Sequence, residues 1–270
     1  MEEDIKKELS IINSSGFLLQ LGLNRLIHQT RLNEEHNFDV LVNEHPWQNG
    51  NTNEEGFVDL ILDSGMTKLV VECKRPLDGE WIFLVSENSS NNVSKDRGMW
   101  SLTSKENPGI SMVDEFSVLP TSFQSSVCLL RGQGETKLSL LERLAGQLLK
   151  ALESIVIEEL SISKNKFSHG HTAYFPVIIT TADLKVAKIK ENEISMKNGK
   201  ITDAEIISVP FIRFRKSLVN NLSPNSNPSD LRETNKNKER TVFVVNSENI
   251  VEFLKKFRVD SYGYYPWQRI

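Results

Sequence analysis

Apolar residues recur at helical intervals near the start of the chain, with Ile5, Leu9 and Ile12 followed by Phe17, Leu21, Leu23 and Leu26 beyond Ser14-Ser15-Gly16. The spacing predicts a helix that breaks near Gly16, where a second one starts. Residues 38–42 are β-prone and lead through Asn43-Glu44-His45-Pro46-Trp47 to a polar turn at Asn49-Gly50-Asn51. Residues 57–62 and 68–74 are strand-like runs on either side of Asp63-Ser64-Gly65, turn chemistry that predicts a β-hairpin. Over 76–133 the pattern weakens, and the polar stretch 86–97 reads as an insertion loop. Leu138, Leu141, Leu144, Ala145, Leu148, Leu149, Leu152, Ile155 and Val156 then form the clearest helical signature, a long helix suited to covering a sheet face. Residues 174–180 and 184–189 read as strands. So does 206–214, which Pro210 assigns to an edge or a bulge. The polar segment 220–240 is expected to be a mobile loop. Residues 241–245 are β-prone and 248–257 helical, too little for a separate core, so they should pack back on the body. The predicted fold is α/β, a mixed central β-sheet flanked by helices, in one domain over 1–270.

Composition narrows the class without choosing a function. Hydrophobic residues at 39% and charged residues at 25% are the ordinary mix of a soluble globular protein. Apolar runs such as Phe17-Leu18-Leu19 and Val177-Ile178-Ile179 fall far short of the roughly 18 residues a membrane span needs, so no membrane partner is expected. The opening Met-Glu-Glu-Asp-Ile-Lys-Lys is unlike a secretory signal, which makes a cytoplasmic location the expectation. Cys73 and Cys128 are the two cysteines, and Cys73 lies in an apolar run, so no disulfide framework is expected. A net charge of -4 leaves any nucleic-acid contact to local basic patches. Arg213, Arg215 and Lys216, with Lys185, Lys188 and Lys190, are candidates for phosphate contact; a solvated strand edge is the competing reading. Tyr262, Tyr264, Tyr265 and Trp267 could stack on bases or dock on apolar surface.

The chemistry concentrates in Gly56-Phe57-Val58-Asp59-Leu60-Ile61-Leu62 and Leu69-Val70-Val71-Glu72-Cys73-Lys74-Arg75. Strand side chains alternate between faces, so Glu72 and Lys74 project together. A hairpin brings Asp59 opposite Glu72, and the three then share one sheet face. Mg²⁺ prefers carboxylates, carbonyls and waters, and can polarise a phosphate while generating a hydroxide nucleophile. Lys74 could orient the water or stabilise developing negative charge. The competing reading is a solvated strand ion pair worth only about 0–1 kcal/mol.

Val58-Asp59-Leu60-Ile61-Leu62 followed by Val70-Val71-Glu72-Cys73-Lys74-Arg75 resembles the PD-(D/E)XK nuclease superfamily. Its restriction-endonuclease-like fold carries an Asp on one strand and (Asp/Glu)-x-Lys on the next. The resemblance implies Asp59 and Glu72 as metal ligands, the Cys73 carbonyl completing the shell, and Lys74 assisting the attacking water, with Mg²⁺ as cofactor and Mn²⁺ as substitute. Members commonly carry a Glu on an upstream helix. Here Gln20 stands at that place, offering a carbonyl oxygen but no charge. Glu44 is the alternative third acid. Val58 replaces the proline of the family name. Gln147, on the long helix, resembles a glutamine that some nuclease families bring to the site, although Ala151 stands where one such family has tyrosine.

The remaining motifs are weaker. His169-Gly170-His171 has no neighbouring Cys or acid ligand, and Gly132-Gln133-Gly134-Glu135-Thr136-Lys137 lacks the phosphate-loop spacing. The expected function is a Mg²⁺-dependent endonuclease acting on DNA more than RNA. On the resemblance alone, its setting is prokaryotic restriction or antiphage defence, and its partners include a homodimer mate or another protein. The alternatives are a non-catalytic nucleic-acid-binding module on the same fold and a partner-activated effector.

Overall fold

The computed structural model describes residues 2–50, 53–76, 79–103, 110–130, 140–163, 170–217 and 230–260. In chain order the elements are α1 (Glu2–Ser14), α2 (Phe17–Leu32), β1 (Asp39–Gln48), β2 (Glu55–Asp63), β3 (Thr67–Lys74), β4 (Glu80–Ser86), β5 (Val93–Thr103), β6 (Ile110–Ser122), β7 (Gln124–Ser125), β8 (Cys128–Leu130), α3 (Leu140–Ser163), β9 (Gly170–Thr180), β10 (Asp183–Ile189), β11 (Glu205–Ser208), β12 (Phe211–Ser217), α4 (Leu231–Lys238), β13 (Glu239–Asn246), α5 (Ile250–Lys256) and β14 (Arg258–Val259).

The β2–β3 hairpin forms as its turn residues dictate. Gly65 takes φ +92°, which a side chain would strain, and its N–H donates to Asp63 Oδ1 at 3.0 Å while Ser64 N donates to Thr67 O. β1 pairs antiparallel with β2, and β3 pairs parallel with β9, which pairs parallel with β13. The main sheet therefore runs β1-β2-β3-β9-β13-β12-β7, with β5 joining the first half of β9 and carrying β6 and then β14. β11-β10-β4-β8 form a second sheet. β9 and β13 are covered on both faces, hence the unbroken apolar runs Val177-Ile178-Ile179 and Val242-Phe243-Val244-Val245, all fully buried. Pro176 is tolerated inside β9 because it falls between the ladder to β5, which uses residues 170–174, and the ladder to β13, which starts at Val177.

Two cores lie on the two faces of the main sheet. One gathers Leu144, Leu148, Leu152 and Ile155 of α3 with Trp81 and Phe83 of β4, Val186 of β10 and Val70 of β3. The other packs Leu23 and Ile27 of α2 and Phe253 and Leu254 of α5 against Leu60, Val71, Phe175 and Phe243. The chain is thus α/β with a mixed sheet flanked by helices.

Several local expectations change. The stripe on α2 that buries is Gln20, Leu23, Ile27 and Thr30, while Phe17, Leu21 and Leu26 are exposed, as are Ile5, Leu9 and Ile12 of α1. The stretch read as one strand over 206–214 breaks at Pro210 into β11 and β12, which join different sheets. The expected insertion loop at 86–97 is shorter, because β5 begins at Val93. Of the expected mobile loop at 220–240, residues 231–238 form α4, capped where Asp230 Oδ1 accepts from Glu233 N at 2.8 Å, and β13 starts at Glu239. Residues 220–229 of it lie outside the described residues. So do His169, Gly132-Gln133-Gly134-Glu135-Thr136-Lys137 and Tyr262, Tyr264, Tyr265 and Trp267.

Candidate active site

The β2–β3 ladder pairs Leu60 with Val71 and extends no further, so Asp59 and Glu72 sit where these two strands part. Beyond that point the side chain takes over from the backbone: Cys73 N donates to Asp59 Oδ2 at 2.6 Å. From the opposite layer the buried Gln20 reaches across and its Nε2 donates to Asp59 O at 3.0 Å. Both the carboxylate and the backbone of Asp59 are therefore held, one by β3 and the other by α2.

The β1–β2 register pairs Asn43 with Leu60 and His45 with Val58, which leaves Glu44 opposite Asp59. Glu44 has φ +49°, a conformation rare for a residue with a side chain. Its effect is legible in the packing. Val42 and Trp47, five positions apart, pack into the same core, as do Val58 and Ile61, three positions apart. Regular alternation would send each pair to opposite faces. The two strands thus change face together at Glu44 and Asp59. The result is a row of three acids, Glu44, Asp59 and Glu72, across β1, β2 and β3.

The electrostatics follow from that packing. Burial raises the Asp59 carboxyl above its ordinary value, the Cys73 amide opposes it, and the Glu44 charge adds to the rise while Lys74 counters it. Burial, then the Asp59 charge, push Glu72 up to about 7, again against the pull of Lys74. Glu72 and Lys74 are half-buried, and among the described residues neither side chain makes a hydrogen bond or ion pair. A half-buried carboxylate without a donor is unusual. Burial and the two acids push the Cys73 thiol up, so it stays protonated, buried in the core behind the site.

The remaining candidates separate. Gln147 is exposed on α3, and no hydrogen bond joins it to the row. Arg213 is not a surface contact. It is fully buried, its Nε donates to both oxygens of Asp96 at 2.9 and 3.1 Å, and its Nη atoms donate to Pro120 O, Ser122 Oγ and Val118 O. Arg213 therefore ties β12 to β5 and β6, because a buried guanidinium needs every donor answered. Arg215 donates to Glu239 Oε2 at 3.1 Å, and Lys216 lies 3.7 Å from Glu142. Lys185, Lys188 and Lys190 pair with Glu80, Glu205 and Glu193. The basic cluster is largely engaged within the chain. His171 stacks on Trp100, ring centroids 5.1 Å apart. Cys73 and Cys128 are buried free thiols.

The donor set fits a hard divalent cation. Mg²⁺ is commonly held by one or two carboxylates and keeps several waters, so Asp59 and Glu72 are the residues that could hold it, although burial, before any neighbouring charge, is what raises both carboxyls. Among the described residues no three His, Cys, Asp or Glu side chains converge closely enough to hold a metal unaided. Sequence reasoning missed the left-handed turn at Glu44, for which Glu-His-Pro-Trp carries no recognisable signal. Among the described residues, no helix is long and apolar enough to cross a membrane. No family model, no curated protein and no solved structure matches the chain.

Proposed function

We propose that this protein is a Mg²⁺-dependent nuclease that hydrolyses DNA phosphodiester bonds at Asp59, Glu72 and Lys74. The observation that carries the reading is Glu72, a half-buried carboxylate without a hydrogen-bond donor, set beside Asp59 and two residues before Lys74. The order of an upstream helix, an Asp strand and a Glu-x-Lys strand supports a restriction-endonuclease-like arrangement and the likeness to PD-(D/E)XK nucleases. A cytoplasmic, prokaryotic restriction or antiphage setting belongs to the same proposal and rests on that likeness.

Asp59, with Oδ2 held by the Cys73 amide, would supply one carboxylate to an ion and Glu72 the second. When bound, Mg²⁺ would polarise the phosphate and lower the pKa of a water. Lys74 is the nearby cation for the charge that grows on the phosphoryl oxygens, or the group that orients the attacking water. Gln20 acts in this reading by holding the Asp59 backbone, with its amide already engaged there. Glu44 is the third acid.

Incubation of the purified protein with Mg²⁺ or Mn²⁺ and single-stranded DNA, duplex DNA or RNA tests the reading. Cleavage is expected on DNA above RNA, and Asp59→Ala or Lys74→Ala should abolish it. An inert wild type, or cleavage unchanged in both variants, would refute the site. The second reading, a non-catalytic nucleic-acid-binding module, is favoured by Gln20 at the place of an acid; it predicts salt-sensitive binding that survives Glu72→Ala and needs no metal.

A further inference from the structure

Residues 190–204 join the antiparallel strands β10 and β11, and the tip of this loop is closed by its own backbone. Ser195 N donates to Lys200 O at 2.9 Å, and Ser195 O accepts from Gly199 N at 2.7 Å and from Asn198 N at 3.3 Å. Gly199 turns the chain with φ +68°, and Asn198 Oδ1 accepts from Lys200 N at 3.1 Å. Residues 196–199 are thereby held in one closed turn, on which Met196 stands 95% exposed. A lone exposed apolar side chain is ordinary on a protein surface. Met196 differs in being fixed on a closed turn with cations on both sides.

Charge is sorted along this loop. Residues 194–202 carry Lys197 and Lys200 and no acid. Both lysines are exposed, and among the described residues neither has an ion pair. The acids gather at the base, where Lys190 donates to Glu193 at 3.2 Å and Glu87 and Asp203 act on the same ammonium. Glu87 opens a second loop, 87–92, set beside the first by the pairing of Ser86 with Ile189 and by the bond from Glu87 N to Ile189 O. Asn88, Ser90, Asn91 and Asn92 of that loop are exposed. Lysine, asparagine and serine are side chains that meet phosphate and sugar, and an inserted methionine parts stacked bases from the minor groove. An anionic lipid surface would take the lysines and the methionine, but it offers no base edges to the amides.

We propose that this hairpin is a wedge for duplex DNA. Lys197 and Lys200 bind phosphates on the two sides of the minor groove, and Met196 enters a base step between them. The proposal rests on the nuclease reading and deepens it, because it assigns duplex over single-stranded DNA as the substrate. The fold supplies the reach. Thr180 pairs with Lys74, and Asp183 N donates to Gly79 O, so β10 starts beside the chain that leaves the candidate site. The length of β10, at about 3.3 Å per residue, then carries the loop about 20 Å away, the rise of about six base pairs.

The test is fluorescence anisotropy on the full chain with Ca²⁺ in place of Mg²⁺. The probes are a labelled duplex of about 30 base pairs, roughly 100 Å long, and a single strand of the same length. Tighter binding of the duplex is expected. Lys197→Ala combined with Lys200→Ala should weaken it about tenfold and flatten the slope of log affinity against log salt by about two. Met196→Ser should keep that slope but abolish the bend reported by energy transfer between dyes at the two duplex ends. Lys255→Ala, at an exposed position on α5, should change neither. Circular dichroism of each variant verifies folding. The proposal is overturned if the wild type does not bind the duplex, if the double variant binds it equally, if Lys255→Ala weakens it as much, or if Met196→Ser bends it as the wild type does. Binding to phosphatidylserine vesicles in preference to the duplex would overturn it as well. Cleavage that persists in Asp59→Ala refutes the acid site alone and leaves a tip-dependent duplex affinity standing, so the two failures are told apart.

Discussion

Glu72 meets Asp59 without a hydrogen bond to share its charge, and this gives the residue scale its sharpest consequence. Burial first and the Asp59 charge second raise its carboxyl from 4.5 to about 7. The folded state therefore holds the proton more tightly than the unfolded chain, and stability declines as pH rises through the window from 4.5 to about 7. Glu72→Gln removes that penalty. Urea unfolding should give the variant no advantage below pH 4.5 and an advantage of about 2 kcal/mol above pH 7, allowing for solvent screening of a half-buried group. Millimolar Mg²⁺ should raise the melting temperature of the wild type and leave that of Glu72→Gln unmoved, because only an ion that binds the folded state shifts the balance. Equal shifts in both proteins would remove the cation from this position.

Arg213 behaves oppositely, since every part of its surroundings completes it. Burial raises the Asp96 carboxyl against the pull of Arg213, whose Nε donates to both of its oxygens. Arg213→Met should destabilise the protein by about 3–5 kcal/mol in urea titration, through the charge stranded on Asp96. Affinity for DNA, measured well below the melting temperature, should not change. A selective loss of DNA affinity in a stable variant would return Arg213 to the list of phosphate contacts.

At the scale of elements, the β1–β2 pair depends on one backbone angle. The φ of +49° at Glu44 is strained for any residue with a Cβ and natural for glycine. Glu44→Gly should leave thermal stability equal or higher, by up to about 1 kcal/mol, while cleavage falls by about 10- to 100-fold if Glu44 belongs to the acid row. Higher stability with undiminished cleavage would reduce Glu44 to a solvated strand residue. The β2–β3 hairpin was readable in advance because Asp63-Ser64-Gly65 specifies its turn through local φ and side-chain bonds. The row across β1 was not, because the face change at Glu44 and Asp59 depends on the packing of Val42, Trp47, Val58 and Ile61 against α3.

For the whole molecule, burial predicts the order of local opening. β3, β9 and β13 lie inside the sheet with both faces covered, whereas residues 5–13 of α1 are exposed throughout. Amide hydrogen exchange should be slowest in β3, β9 and β13 and fastest in α1, with β1 between them. Protection in α1 equal to that in β9 would show that α1 is covered in solution.

Local periodicity and turn chemistry determined much of this protein: the two N-terminal helices, the β2–β3 hairpin, α3, and the adjacency of Asp59 with Glu72 and Lys74. Each follows from interactions within a few residues or across one tight turn. What tertiary structure decided lies farther apart along the chain. It split 206–214 between two sheets, set β13 inside the main sheet, buried Arg213 against Asp96, and turned α2 so that Gln20 reaches Asp59 while Phe17 and Leu21 face outward. These outcomes depend on which distant surfaces meet and on how buried charges find partners, and no window of local sequence carries either.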